Sequence, residues 1–234
     1  WSEASDLYKG QILVKDGTLF DFNATWGAWA RNVFEVETAG DPDQLASLAA
    51  ALKYDLAAGQ FLPESLVIAS TVYEIAQAVL PLIAETDPSA LIARFNAAAT
   101  RAPQVETTPL VAFITSLKSA GLKVGVATND AESPARAHLC VAGIEALFDF
   151  IAGFDSGFGG KPAPGQLLGF CDVTGLAPSE CVMVGDSTHD LHAGRAAGMA
   201  TVAVLTGVAG RAALAPHADV VLNSIAELPN WLNL

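Results

Sequence analysis

The stretch Gln11-Ile12-Leu13-Val14-Lys15-Asp16-Gly17-Thr18-Leu19-Phe20-Asp21 decides the fold. A short strand-like run, Gln11 to Val14, breaks abruptly into a polar turn at Lys15-Asp16-Gly17-Thr18. A brief strand without apolar–polar alternation is the pattern of one covered on both faces by helices. The same texture returns downstream: strands are expected at 122–127, near 148–151, and at 181–184, 201–204 and 219–222. Helical segments separate them, at about 109–120, 135–141 and 164–174, the first opened by Pro109 and stopped by Gly121. Helix alternating with strand predicts a parallel sheet.

Between the first strand and this series the texture is helical and rich in Ala and Leu. Breaks at Gly40-Asp41-Pro42, Gly59 through Pro63, Pro81 and Asp87-Pro88-Ser89 divide it into four expected helices, about 24–37, 43–58, 64–79 and 88–101. The first strand belongs with the later α/β part. The fold class is therefore α/β, a Rossmann-like parallel sheet core, residues 1–22 and 105–234, with an all-helical domain inserted at 23–104.

Composition narrows the function. The 234 residues carry 25 acidic and 12 basic side chains, a formal charge of −13, which argues against a nucleic-acid surface or a polybasic membrane anchor. Hydrophobic residues make up 52% and charged residues 16%, enough to bury a core and to exclude intrinsic disorder. Residues 66–84 are the most membrane-like, but Glu74, Gln77 and Pro81 interrupt them, so a buried helix is expected. The N-terminal Trp1-Ser2-Glu3-Ala4 lacks the basic and apolar regions of a signal peptide. Cys140, Cys171 and Cys181 show no Cys-x-x-Cys spacing, so reduced thiols and a cytoplasmic location are expected.

In an open parallel sheet ligands bind at the carboxyl ends of the strands. The polar residues there are Asp16, Gly17 and Thr18; Thr128, Asn129 and Asp130; the Gly157–Gly160 loop ending in Lys161-Pro162; and Gly185, Asp186, Ser187 and Asp190. Each alone is an ordinary turn, cap or loop residue. Together they supply carboxylates, hydroxyl and amide donors and one ammonium. Facing carboxylates repel unless a cation sits among them. A hard ion such as Mg²⁺, with a substrate phosphate, suits that set.

With these residues in order, the chain resembles the haloacid dehalogenase superfamily, in particular its phosphoglycolate-phosphatase-like phosphatases. The resemblance rests on Lys15-Asp16-Gly17-Thr18-Leu19-Phe20-Asp21, Val126-Ala127-Thr128-Asn129-Asp130, Gly160-Lys161-Pro162-Ala163-Pro164 and Val184-Gly185-Asp186-Ser187-Thr188-His189-Asp190. It implies that the helical insertion is a cap. It also implies Mg²⁺-dependent hydrolysis of a small phosphorylated metabolite through an aspartyl-phosphate. By the same resemblance Asp16 is the general acid/base and, through its carbonyl, faces the metal. Thr128, Asn129 and Lys161 hold the phosphate, with Lys161 also catalytic, and Asp186 and Asp190 complete the metal site.

One departure stands out. The family pattern places the nucleophilic Asp two positions before Asp16, where this chain has Val14. The usual order of apolar strand, Asp, any residue, Asp, Gly, Thr is restored if one Asp belongs between Val14 and Lys15. A chemically modified Asp can drop out of a sequence assembled from standard residues. The alternative is genuine loss, leaving a non-catalytic phosphate-binding pseudoenzyme. A phosphosugar mutase is a further alternative, although Thr18 after Gly17 leans towards hydrolysis. A response-regulator receiver is disfavoured by the insertion and by Gly160-Lys161-Pro162. For the non-phosphate end of a substrate, Asn23, Trp26, Arg31, Arg94 and Arg101 are candidates, against the plainer reading that the arginines pair with surface acids and that Trp26 and Trp29 are core. His138, His189, His192 and His217 receive no catalytic role. The sequence leaves oligomeric state open.

Overall fold

The computed structural model describes residues 7–234, so the segment read above for a signal peptide lies outside the described residues. Six parallel strands form the central sheet: β1 (Gly10–Leu13), β4 (Lys123–Ala127), β5 (Phe150–Ala152), β6 (Cys181–Gly185), β7 (Ala200–Val204) and β8 (Val220–Leu222). Their order is β5-β4-β1-β6-β7-β8. The first strand therefore lies mid-sheet, with Leu13 opposite Val126 of β4 on one side and Val184 of β6 on the other. Three loops that the sequence singles out, after β1, β4 and β6, consequently emerge side by side at one sheet edge.

Apolar clusters cover both faces. Leu13, Val124, Val126, Val182 and Val184 pack with α5 (Leu110–Ser119) through Phe113, Ile114 and Leu117. Ile12, Val14, Ala127 and Met183 pack on the other face against α7 (Gly165–Thr174) through Leu167 and Phe170. Alternate residues of β1 thus feed opposite cores, as a doubly covered strand requires. Two further helices flank the sheet, α6 (Glu132–Val141) and α8 (Thr188–Ala197).

The helical layer has its own apolar cluster, in which Trp26, Trp29 and Phe34 of α1 (Phe22–Glu37) meet Leu48 of α2 (Pro42–Ala51), Ile75 of α3 (Val72–Val79) and Phe95 of α4 (Pro88–Ala99). Side-chain caps set these helices: Asp21 starts α1, Asp41 starts α2 ahead of Pro42, Thr71 and Glu74 form a capping box on α3, and Asp87 starts α4. Two sequence expectations change here. The helix expected over 43–58 ends at Ala51, because Lys53 takes a positive φ and a small antiparallel pair follows, β2 (Tyr54–Asp55) with β3 (Gln60–Phe61). The helix expected over 64–79 begins only at Val72; a single 3₁₀ turn, Leu66–Ile68, precedes it. Among the described residues no helix is long and apolar enough to cross a membrane.

Candidate active site

One pocket opens where the sheet's carboxyl edge meets the helical layer. Val14, Asp16, Thr128, Asn129, Asp130, Lys161, Asp186, Ser187, His189 and Asp190 line it from the sheet side. Asp16, Thr128, Asn129, Lys161, Asp186 and Asp190 are thereby brought together from four separate loops. The β1 loop turns tightly: Gly17 N–H donates to the Phe20 carbonyl, and Thr206 Oγ1 donates to the Gly17 carbonyl at 2.6 Å. Gly17 takes φ +72°, and a methyl there would collide with the Asp186 carboxylate.

Val14 is followed directly by Lys15, and its N–H donates to the Val184 carbonyl at 3.1 Å, extending the ladder to β6 by one residue. Its isopropyl group, 7% exposed, forms part of the pocket wall. Three positions upstream, Gln11 is fully buried, and neither its amide nitrogen nor its amide oxygen has a hydrogen-bond partner. A buried amide of this kind is rare in a central strand and costs free energy.

Lys15, next to the site, carries a charge network that the sequence did not point to. It is completely buried, with Nζ 2.6 Å from Asp16 Oδ1, 3.0 Å from Asp130 Oδ2 and 3.1 Å from His138 Nδ1. It also lies 5.5 Å from the centroid of the Trp26 ring, within cation–π range. Burial alone would lower the Lys15 pKa, but Asp130 and Asp16 outweigh it and hold the ammonium above its ordinary value. Burial likewise raises Asp16, and Lys15 more than reverses this, leaving that carboxyl below the usual range. Asp130 goes the other way: burial, with Asp16 alongside, lifts it to about 7 despite Lys15. His138 is pushed down to about 4, first by burial and then by the Lys15 charge, while its Nε2 lies 2.7 Å from the Ala99 carbonyl. The only hint in the sequence was a lysine flanked by an apolar strand and an aspartate.

The loops after β5 and β6 carry the other charges. Lys161 Nζ lies 2.6 Å from Asp190 Oδ1 and donates to the Ala127 carbonyl at 3.0 Å. Asp190 Oδ2 accepts from the Ser187 backbone N–H and hydroxyl, closing a capping box at the start of α8. Asp190 therefore pairs with Lys161 and caps α8. Asp186 is different. It is 4% exposed, accepts from Thr18 Oγ1 at 3.0 Å, and has no ion-pair partner among the described residues. Burial first, and the neighbouring Asp190 second, raise its pKa well above the carboxylate range.

Buried, uncompensated and packed so closely that a methyl at Gly17 or Gly207 would strike it, the Asp186 carboxylate suits a hard cation as ligand. Asp16 and Asp190, the other two expected ligands, are each held by a lysine. Among the described residues no three acidic or imidazole side chains gather as a ready metal site. Asp186 is thus the one carboxylate of the three that no lysine holds, and by itself it is an incomplete donor set for a hard divalent ion.

Asn129 lines the pocket but is committed: Nδ2 donates to the carbonyls of Ala69 and Lys161, and Oδ1 accepts from Lys161 N–H at 2.8 Å. It ties the helical layer to the Lys161 loop, leaving Thr128 and Lys161 as the phosphate-binding candidates. Of the candidates on the helical layer only Trp26 reaches the pocket. Arg94 is bound to Glu37 through two bonds of 2.8 Å and to Glu85 at 3.0 Å. Arg31 reaches the Leu56 carbonyl, and Arg101 is exposed. Asn23 is half-buried and outside the lining.

A parallel sheet with β1 at its centre, a helical insertion after β1, and acidic, hydroxyl and lysine groups converging from four loops are the features that place the chain in a family. The chain belongs to the haloacid dehalogenase-like hydrolase family, which it matches over residues 16–204. The match begins at Asp16, just past the Val14–Lys15 junction. Phosphoglycolate phosphatase of Chromobacterium violaceum is 40% identical over 112 residues, 48% of this chain and 50% of that protein. Pyrophosphatase PpaX of Bacillus mycoides is 33% identical over 116 residues, 49% of this chain and 54% of that one. The chain thus spans about half the length of the curated relatives it matches. Among solved structures, CbbY from Rhodobacter sphaeroides in complex with phosphate superposes with a TM-score of 0.69 at 23% identity, covering 97% of this chain and 100% of that chain. β-Phosphoglucomutase from Clostridium difficile gives 0.65 at 18% identity, covering 97% of each. These two likenesses speak for the fold.

Proposed function

We propose that the protein is a Mg²⁺-dependent phosphomonoester hydrolase acting on a small phosphorylated metabolite, and that its attacking carboxylate is an aspartate belonging between Val14 and Lys15. The observation that carries this reading is the convergence of Asp16, Thr128, Lys161, Asp186 and Asp190 from separate loops on one pocket. A second observation supports the position of the aspartate. One added residue slides β1 by one place, and a slip of one exchanges the faces of every side chain. Ile12 then fills the slot in which Gln11 is orphaned, Leu13 fills that of Ile12, Val14 that of Leu13, and the aspartate enters the pocket where Val14 now stands. Gln11 moves to the Gly10 slot at the start of the strand, where the crowding atoms are the ends of Cys181, Phe170 and Leu176 side chains.

The chemistry follows from the chain's own groups. The aspartate oxygen attacks phosphorus, the ester P–O bond breaks, and Asp16 gives its proton to the departing alkoxide. Asp16 then takes a proton from water as that water attacks phosphorus, and the aspartyl P–O bond breaks to release inorganic phosphate. Lys15 holds Asp16 ionised, which suits the second half of the cycle; a proton for the first half must come with substrate or from Asp130, whose pKa is near neutrality. Thr128 and Lys161 bind the phosphoryl oxygens. Mg²⁺, held by Asp186 and the Asp16 region, would neutralise phosphate charge.

A second reading is favoured by Val14 itself. An isopropyl group in the pocket wall and a lysine saturating Asp16 and Asp130 describe a phosphate-binding module without turnover. Two measurements separate the readings. The tryptic peptide ending at Lys15 is weighed, the hydrolase reading expecting the mass of one extra aspartyl residue. Phosphate release is then screened over metabolite monophosphates with Mg²⁺ and with EDTA. The unextended peptide together with no release under any condition leaves the binding module.

A further inference from the structure

The pocket's two ends differ in chemistry. The sheet end is acidic and cationic. The opposite wall, contributed by the helical layer, is largely apolar and includes Phe22, Trp26, Trp29, Ile68, Ile75 and Phe95, with Ser70 and Asn96 as neutral polar groups. Lys161 is the one lysine or arginine in the lining, and it is anchored at the sheet end by Asp190 and the Ala127 carbonyl. Arg31, Arg94 and Arg101 are absent from the lining. Lys15 is buried behind Asp16 and Trp26 and is already shared by two carboxylates.

An anionic group at the far end of a substrate would leave water to face aromatic and aliphatic carbon with no cation opposite it, which is strongly unfavourable. An aryl or alkyl group would instead be removed from water there, which is favourable. From this wall we infer that the site selects phosphate monoesters of uncharged, aryl- or alkyl-bearing alcohols, and discriminates against substrates with a second anion such as phosphoglycolate or pyrophosphate. The inference rests on the phosphomonoester reading above and names the class of alcohol that reading leaves open. It separates this chain from the two relatives named above by their acidic substrates, because the helical-layer wall offers no cation to a second negative charge, and His189 lies on the sheet side with Lys161.

The test compares phenyl phosphate and hexyl phosphate with phosphoglycolate and pyrophosphate, in Mg²⁺, by kcat/KM for phosphate release. The same compounds, with inorganic phosphate as reference, are titrated against the fluorescence of the pocket tryptophans. The expected result is a preference of about a hundredfold or more for the apolar esters in both measurements. The substitution Ile68→Arg, at a half-buried wall position, is expected to cut that preference at least tenfold by supplying the missing cation; Ser70→Arg serves the same purpose if Ile68→Arg fails to fold. Equal or tighter binding of phosphoglycolate by the unaltered protein overturns the inference. Absence of turnover on every ester, with the apolar esters still binding more tightly, overturns the hydrolase reading and leaves the selectivity standing.

Discussion

The orphaned amide of Gln11 gives a stability experiment that reads the register of β1 directly. Gln11 is fully buried in the middle strand, and both its side-chain polar atoms lack partners. An unsatisfied buried polar group costs about 1–3 kcal/mol. Gln11→Leu removes that cost and leaves apolar carbon on the face shared with Val124, Val182 and Leu13. In the chain with Val14 joined to Lys15 the substitution should therefore stabilise by about 1–3 kcal/mol, which for a domain of this length raises Tm by roughly 2–4 °C per kcal/mol. With one aspartate added between Val14 and Lys15, Gln11 leaves that slot for the buried Gly10 place beside Cys181, Phe170 and Leu176, so the effect of the same substitution should differ between the two chains. The assay is urea unfolding of four proteins, each chain with and without the substitution, at constant m-value. An equal gain in both chains would show that the added residue does not shift the strand. A loss of stability in the unextended chain would show that Gln11 has partners after all.

Other expected outcomes concern the charged groups. Asp16→Asn should abolish turnover by the aspartate-extended chain while leaving phosphate binding measurable by titration; retained turnover would remove Asp16 from the acid/base role. Asp186→Asn should abolish turnover and also erase stabilisation by Mg²⁺ in thermal melts. Because the raised Asp186 pKa makes its ionised form a cost at neutral pH, the same substitution should stabilise the metal-free protein. Lys161→Met leaves Asp190 as a buried charge without its cation and should destabilise by roughly 3–5 kcal/mol in chemical unfolding. His138, held near 4 against an unfolded value of 6.5, is protonated more readily in the unfolded chain. Its contribution is thus constant above pH 6.5 and is lost as pH falls from 6.5 towards 4, by roughly 3 kcal/mol in all. His138→Gln should flatten the stability–pH curve in that window, and an unchanged curve would place the effect elsewhere.

How far the sequence could be read depended on range. The sheet strands were legible because each is an apolar run between turn signals, and the strand-end residues Asp16, Thr128, Lys161 and Asp186 followed from the rule that ligands meet strand carboxyl ends. The Tyr54–Phe61 hairpin was not, because its two-residue strands carry too little periodicity to stand out from the helix before them. The Lys15–Asp16–Asp130–His138 network joins residues as far as 123 positions apart, a relation no local pattern encodes. The helical layer's arginines illustrate the converse. Their charge suggested a substrate carboxylate, yet Arg94 is bound to Glu37 and Glu85, and the pocket wall is apolar. Asn129 lines the pocket, and its bonds to Ala69 and to the Lys161 loop join segments too far apart in sequence for a local pattern to show.

Phosphate release from phenyl phosphate, measured in parallel for the chain with Val14 joined to Lys15 and for the chain with an aspartate between them, bears most directly on the hydrolase reading. In Mg²⁺ the aspartate-containing chain should turn over, with EDTA stopping it, and the unextended chain should be slower by about a thousandfold or more, having no carboxylate to attack phosphorus. Comparable Mg²⁺-dependent turnover by both chains would contradict the reading, since hydrolysis would then proceed without an aspartate at the tip of β1.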